Sequence, residues 1–381
     1  MSLFPPQAKK LKILFVTRLL NPKDPVLGFT WSWVKALANH VSRLYVATSY
    51  VDNVEDPPSN VHFYTWMKAS KHLGGRSTIK RTQLKGLLSY MKIGLFINQI
   101  LIKLGLNKAI DVVLAHMNPE FVLICAPLCK IFRIPLLLWY LHRQSSLKLV
   151  MAHALSDLVV TAHQGGFPIP SPKVRVIGHG IEPQASVNEI GKEDNLILCV
   201  GRISRSKRFE EAIKALSLLK GVDAKMIIVG PIYDRDYFLE LLKLVENLDL
   251  RSKIHFAGPV PHDKIGRLYH RASLLVSCSL TGLDKTVLEA MSAGLPVVVG
   301  SRIFNEVLGI YSNLCRYKLG SPEDLAYKME IMLSSRRLRE TIGEYLKRQV
   351  ALYHSVDSLA LRILSVIEEL KSSASSNHIV Q

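Results

Sequence analysis

Short apolar runs rich in Val, Ile and Leu alternate with segments of helical period along nearly the whole chain. Such runs suit strands buried on both faces, which belong to parallel sheets covered by crossover helices. The spacing predicts strands at 11–18, 43–50, 61–66, 111–117, 135–142, 158–163 and 174–181. Helices fill most gaps, including a long basic one within 78–106. A polar stretch, EPQASVNEIGKEDN at 182–195, interrupts the alternation. The pattern restarts with strands at 195–202, 226–230, 253–258, 274–279 and 295–300, and closes with helices near 321–335, 336–353 and 355–371.

Two such sheets in 381 residues read as two α/β domains. Their expected bounds are 1–188 and 189–353. A C-terminal helix at 354–371 is expected to pack back on the first domain, followed by a tail, 372–381, too polar to fold. Open parallel sheets bind ligands at the carboxyl ends of their strands, so strand-terminal residues are the candidates.

Composition removes several classes. No apolar run reaches the roughly 18 residues that span a bilayer. The apolar stretch near the start is cut by Arg18 and lacks a small-residue cleavage site. Five cysteines without framework spacing argue against a secreted disulfide scaffold. A cytoplasmic protein is expected. The net charge of +18 is uneven: residues 1–190 hold 22 Lys and Arg against 9 Asp and Glu, the remainder 27 against 22. From Pro57 to Ile110 there is no acidic residue. A solvated basic surface or an anionic partner fits this excess. Nucleic acid fits poorly, because no aromatic platform is interleaved with the charge.

The strand at 195–202 ends in VGRISRSKRF, which crowds Arg202, Arg205, Lys207 and Arg208 at the start of a helix. Cations oppose the positive end of a helix dipole. Glu210 and Glu211 offset some of this, so a solvated helix start fits, and so does a clamp in which Arg202 and Lys207 hold a diphosphate. The stretch SCSLTGLDKTVLEAMSAGLPVVVG at 277–300 is more specific: a strand end, a Gly-containing loop, then a helix. Loop amides before a helix favour an anion. Glu289 suits either acceptance of two ribose hydroxyls or a favourable charge near the helix start. Asp234-Arg235-Asp236 is a metal-binding pattern in form, but it opens a helix, where capping is the better reading. Cys125 and Cys129 share a helix face without further metal ligands. P-loop, nucleophile-elbow and dinucleotide fingerprints are absent from the sequence.

VGRISRSKR, VGP (229–231), HFAGPVP (255–261) and LTGLDKTVLEAMSAGLPVV together resemble retaining glycosyltransferases of family 4. The resemblance spans the chain and is strongest over 195–300. It implies the GT-B fold, two Rossmann-like domains facing each other across a cleft. It also implies that Arg202 and Lys207 bind the donor's pyrophosphate, that Glu289 binds the ribose, and that Gly258 and its neighbours flank the base. Gly282, Leu283, Asp284, Lys285 and Thr286 take the place of the family's sugar-handling loop. The first Glu of the family's E-x7-E motif is replaced by Thr281. Asp284 is a candidate to supply that carboxylate, and Lys285 to meet a phosphate or an acidic sugar.

In the first half the resemblance implies that Gly28 approaches the diphosphate and that His142, with Arg143 beside it, faces the donor sugar. His116 and His163 also end strands. The implied activity is transfer of a sugar from a nucleotide diphosphate donor to a hydroxyl acceptor, glycan or lipid-linked, with retention and without a metal or other cofactor. A nucleotide-sugar epimerase on the same fold and a catalytically silent binding subunit are the competing readings. Residues 68–108 hold nine cations, Lys68, Lys71, Arg76, Lys80, Arg81, Lys85, Lys92, Lys103 and Lys108, with Leu84, Leu87, Leu88, Met91, Leu95 and Ile102 at near-helical spacing. A basic amphipathic helix at an anionic membrane surface is expected there, unless the apolar face packs on the domain's own sheet.

Overall fold

A computed structural model describes residues 10–24, 27–67, 87–183, 191–280 and 282–376. The chain divides into two units, 1–180 with 356–381, and 181–355.

The first unit holds a parallel sheet of seven strands: β1 (Lys12–Val16), β2 (Arg43–Thr48), β3 (Val61–Thr65), β4 (Val112–His116), β5 (Leu136–Trp139), β6 (Leu158–Thr161) and β7 (Val174–Val176). Their order is β3-β2-β1-β4-β5-β6-β7. Its helices are α1 (Thr30–Ala38), α2 (Leu87–Leu106), α3 (Pro119–Phe132) and α4 (Leu147–Leu155). Successive side chains of β1 leave by opposite faces. Ile13 and Phe15 join a core with Trp33 of α1, while Leu14 and Val16 join a second core with Ile97 of α2, Val122 of α3 and Leu149 of α4. Burial on both sides is why these strands read as unbroken apolar runs.

The second unit alternates β8 (Leu196–Val200), α5 (Phe209–Ser217), β9 (Lys225–Val229), α6 (Arg235–Asn247), β10 (Ile254–Gly258), α7 (His262–Arg271), β11 (Leu274–Ser277), α8 (Lys285–Ser292) and β12 (Val297–Val299). The short α9 (Asn305–Leu308) and α10 (Ser312–Cys315), then α11 (Pro322–Ser334) and α12 (Arg336–Tyr353), complete it. The sheet is parallel in the order β10-β9-β8-β11-β12.

The boundaries differ from the expected ones. The first unit ends at 180 rather than 188, and residues 184–190 of the polar stretch lie outside the described residues. Helix α13 (Val356–Ser376) packs on α1 and belongs to the first unit. It runs past 371, so the expected tail begins five residues too early. Ser and Ala cost little when they extend a helix already formed, because propagation adds one hydrogen bond per residue. Residues 377–381 lie outside the described residues, as do 68–86 of the basic stretch.

Candidate functional site

In each sheet the order of strands reverses direction once, between β1 and β4 and between β8 and β11. Crossover helices diverge there, which opens a crevice at the carboxyl ends of the strands. The candidate site of the second unit lies at its crevice.

Lys207 comes from the loop after β8 and Asp284 from the loop after β11. Lys207 Nζ donates to Asp284 Oδ2 at 2.8 Å, and both side chains are mostly buried, 15% and 18% exposed. The Lys207 stem lies over Gly201: a Cβ at 201 would come within 2.9 Å of Lys207 Cε. Gly201 in turn meets Gly230 at the end of β9, where a Cβ would fall 1.9 Å from the Gly201 carbonyl oxygen. Gly258, the last residue of β10, has φ +68° and open space where a side chain would stand. Glycine thus ends or directly follows three adjacent strands: Gly201 and Gly230 make room for Lys207 and for each other's backbone, and Gly258 leaves its own backbone open to a ligand.

Asp284 is the N-cap residue of α8, yet its side chain makes no cap hydrogen bond. Its carboxylate goes to Lys207 instead. The first amides of α8 therefore have no cap from it, and amides of this kind attract an anion. Gly282 has φ +71°, Leu283 is buried, and Lys285 and Thr286 open the helix half-buried. Burial pushes the Lys285 ammonium down to about 7 against the opposing pull of Glu289 and Glu182. Glu289, on the next turn of α8, is buried and accepts a hydrogen bond from Tyr269 Oη of α7 at 3.1 Å. Burial, with Glu289 beside it, raises the Tyr269 phenol well above its ordinary range. Thr281 lies outside the described residues.

The other cations of the VGRISRSKRF segment have separate engagements. The Arg202 guanidinium stands 5.1 Å over the Tyr233 ring. It lines an open depression of about 580 Å3 with Ser204, Ser206, Asp234 and Arg235. Arg205 makes two bonds to Glu240, at 3.0 and 2.6 Å. Arg208 binds Glu211, which is buried and also accepts from Tyr317 Oη at 2.8 Å and from the Gly320 amide at 3.0 Å. Glu211 is therefore a structural anchor as well as a charge near the start of α5. Asp234 caps α6, accepting from the Tyr237 amide at 3.0 Å. Cys125 and Cys129 are buried in α3, and burial pushes the Cys129 thiol up to about 12.

In the first unit, Gly28 sits in a tight turn where a Cβ would meet the backbone oxygens of Pro22 and Asp24 at 2.5 and 2.7 Å. Local packing alone requires a glycine there. His142 is exposed beyond β5, and its Nδ1 accepts from the Gln144 amide at 3.1 Å. His163, after β6, is buried, and its pKa is lowered by burial and by Arg143. The crevice between β1 and β4 belongs to a pair that the sequence did not single out together: Thr17 Oγ1 and His116 Nδ1, 3.1 Å apart and fully buried. The His116 ring packs 5.3 Å from Trp33 and 5.5 Å from Phe15. Thr17 follows β1 directly, and that position was the available signal.

Residues 181–349, nearly all of the second unit, match the family Glycosyl transferases group 1. Over 222 residues the chain is 33% identical to an uncharacterized glycosyltransferase of Methanocaldococcus jannaschii, covering 52% of this chain and 55% of that protein. It is 26% identical over 162 residues to the O-antigen chain mannosyltransferase RfbU of Salmonella typhimurium, covering 42% and 44%. The matched stretches thus span about half the length of these curated relatives. Anabaena HepE, solved in complex with UDP, superposes with a TM-score of 0.70 at 18% identity, over 94% of this chain and 100% of that one. Two parallel Rossmann-like sheets of this kind are the fold of GT-B glycosyltransferases. The second unit is thus similar, over nearly its whole length, to the domain of glycosyl transferases group 1.

Proposed function

We propose that this chain is a retaining glycosyltransferase of the family 4 type, which takes a sugar from a nucleoside diphosphate donor held on the second unit and places it on a hydroxyl acceptor. The observation that carries the reading is the Lys207–Asp284 junction at the β8/β11 crevice, beside an α8 start that Asp284 leaves uncapped. In the reaction the bond from the anomeric carbon to the diphosphate oxygen breaks and its electron pair leaves on the diphosphate. The acceptor oxygen forms the new bond to the anomeric carbon, and its proton passes to the departing diphosphate oxygen. The charge that grows on the leaving group is what fixed donors stabilise. Lys207 and the amides of 282–286 supply such donors, and Arg202 supplies a second cation on the same loop. Glu289 holds the ribose, and Gly258 borders the base. These fixed positive groups do the work that a divalent cation does elsewhere, so the reaction needs no metal.

The donor class is supported by the relatives named as glycosyltransferases and by the neighbour solved with UDP. The acceptor is a glycan or lipid-linked hydroxyl compound presented at the cytoplasmic face of an anionic membrane. The test is incubation with a panel of nucleotide sugars, with and without candidate acceptors, followed by chromatography of the nucleoside diphosphate and proton NMR of the product. Acceptor-dependent release and an unchanged anomeric configuration are expected. Release of free modified sugar without acceptor identifies an epimerase-like enzyme. Tight nucleotide binding without release identifies a silent subunit.

A further inference from the structure

Among the described residues of the first unit ten large apolar side chains are exposed, and eight of them lie on α2, α3 and α4, the helices that cover one face of its sheet. Helix α2 is apolar on two sides. Ile93, Ile97, Ile100, Leu101 and Leu104 are buried in the core beneath it. Met91, Leu95, Ile102 and Leu106 point outward at helical spacing, with Leu95 65% and Leu106 70% exposed. The outward face of α4 repeats the pattern with Leu147, 76% exposed, and Met151. A face this rich in exposed apolar groups marks an interaction surface.

The charge on the same helices is positive except for Glu120 of α3. Lys92 and Lys103 stand beside the outward stripe of α2. Lys148 of α4 reaches across to both neighbouring helices, 2.9 Å from Glu120 of α3 and 5.2 Å from the Tyr90 ring of α2. It neutralises Glu120, the acid in the first turn of α3, and ties the three helix starts together. A second copy of this face would bring Lys92 and Lys103 against like charges, which opposes self-association. An occupant that is apolar within and anionic at its rim satisfies both features.

We infer that the outward face of α2, α3 and α4 docks on an anionic lipid bilayer, with Leu95, Leu106, Leu147 and Met151 entering the headgroup boundary and Lys92 and Lys103 meeting acidic headgroups. Among the described residues no helix is long and apolar enough to cross a membrane, so the contact lies on the surface. It deepens the proposed acceptor location, but its test is independent of any sugar transfer.

The experiment is sedimentation of the full chain with vesicles of phosphatidylcholine alone and with added phosphatidylglycerol, at low and high salt. Recovery in the pellet is expected to rise with the anionic lipid and to fall with salt. Leu95→Ser with Leu147→Ser is expected to lower the partition coefficient by about tenfold or more. Lys92→Glu is expected to lower it by about fivefold or more. The positions are exposed, so unchanged thermal unfolding verifies that the variants fold. Equal pelleting with neutral and anionic vesicles, no pelleting, or wild-type partitioning of the Leu variant overturns the inference. So does a dimer in light scattering that the Leu variant abolishes while vesicles leave the protein in solution.

Discussion

Lys207 and Asp284 meet at 2.8 Å although 77 residues separate them in the chain. Each belongs to the loop that leaves one of the two strands flanking the reversal of strand order. The pair spans the crevice because the topology opens it there. Asp is among the preferred helix N-caps, and using it against Lys207 forgoes a cap worth about 0.5–2 kcal/mol. That sacrifice leaves an ammonium held in place and a helix start with amides to offer.

The pair should be energetically coupled. In urea unfolding, the cycle of Lys207→Ala, Asp284→Ala and the double variant is expected to give a coupling of about 0.5–3 kcal/mol, as for contacting residues. Strict additivity would show that the contact contributes nothing in solution. Titration calorimetry with nucleoside diphosphates should show Lys207→Ala weakening binding by an amount equivalent to about 1.5–3 kcal/mol.

Glu289 is expected to read the ribose rather than the phosphates. Glu289→Gln should lower affinity for a nucleoside diphosphate more than affinity for inorganic pyrophosphate. An equal loss for both ligands would assign Glu289 to support of the fold through Tyr269.

Lys285 gives a pH signature. Its folded pKa, about 7, lies below the ordinary lysine value of 10.5. Between these values the unfolded chain binds more protons than the folded one, so stability rises with pH through this window. Below pH 7 both states are protonated and the cost of burying the charge is present in full. Lys285→Met should therefore be stabilised relative to wild type at pH 6, with the difference shrinking towards pH 10. Parallel urea midpoints for the two proteins across that range would contradict it.

The glycine strand ends differ in what they tolerate. Gly230→Ala places a methyl group 1.9 Å from the Gly201 carbonyl oxygen at φ +151°. Strain of this kind costs about 1–3 kcal/mol before the collision is counted. Gly258→Ala meets open space and carries only the left-handed penalty of about 1–2 kcal/mol. Thermal unfolding should rank Gly230→Ala well below Gly258→Ala.

Chelation tests the proposed independence from metal. Nucleoside diphosphate release measured after EDTA treatment is expected to match that of the untreated protein. Loss of release, restored by a divalent cation, would place a metal in the reaction.

The sequence by itself determined the two parallel sheets, the position of every strand and the long helices that close the chain. A strand buried on both faces must be apolar throughout, as Leu14 and Phe15 are on opposite sides of β1, and that pattern is local. The motif loops were legible for the same reason: VGR, VGP and FAG end strands in glycine, and TGLDKT precedes a helix. What the tertiary structure alone decided is which groups meet. Nothing within reach of Asp284 in the chain says that its partner is Lys207 rather than its own helix start. Nothing near Glu211 announces Tyr317 and Gly320. Nor does the apolar period of α2 say that one stripe faces the core and another faces outward until α3 and the sheet take up their places. Hydrophobic period is written in neighbouring residues, whereas charge pairing across a crevice depends on strand order, which distributes distant loops to a common edge.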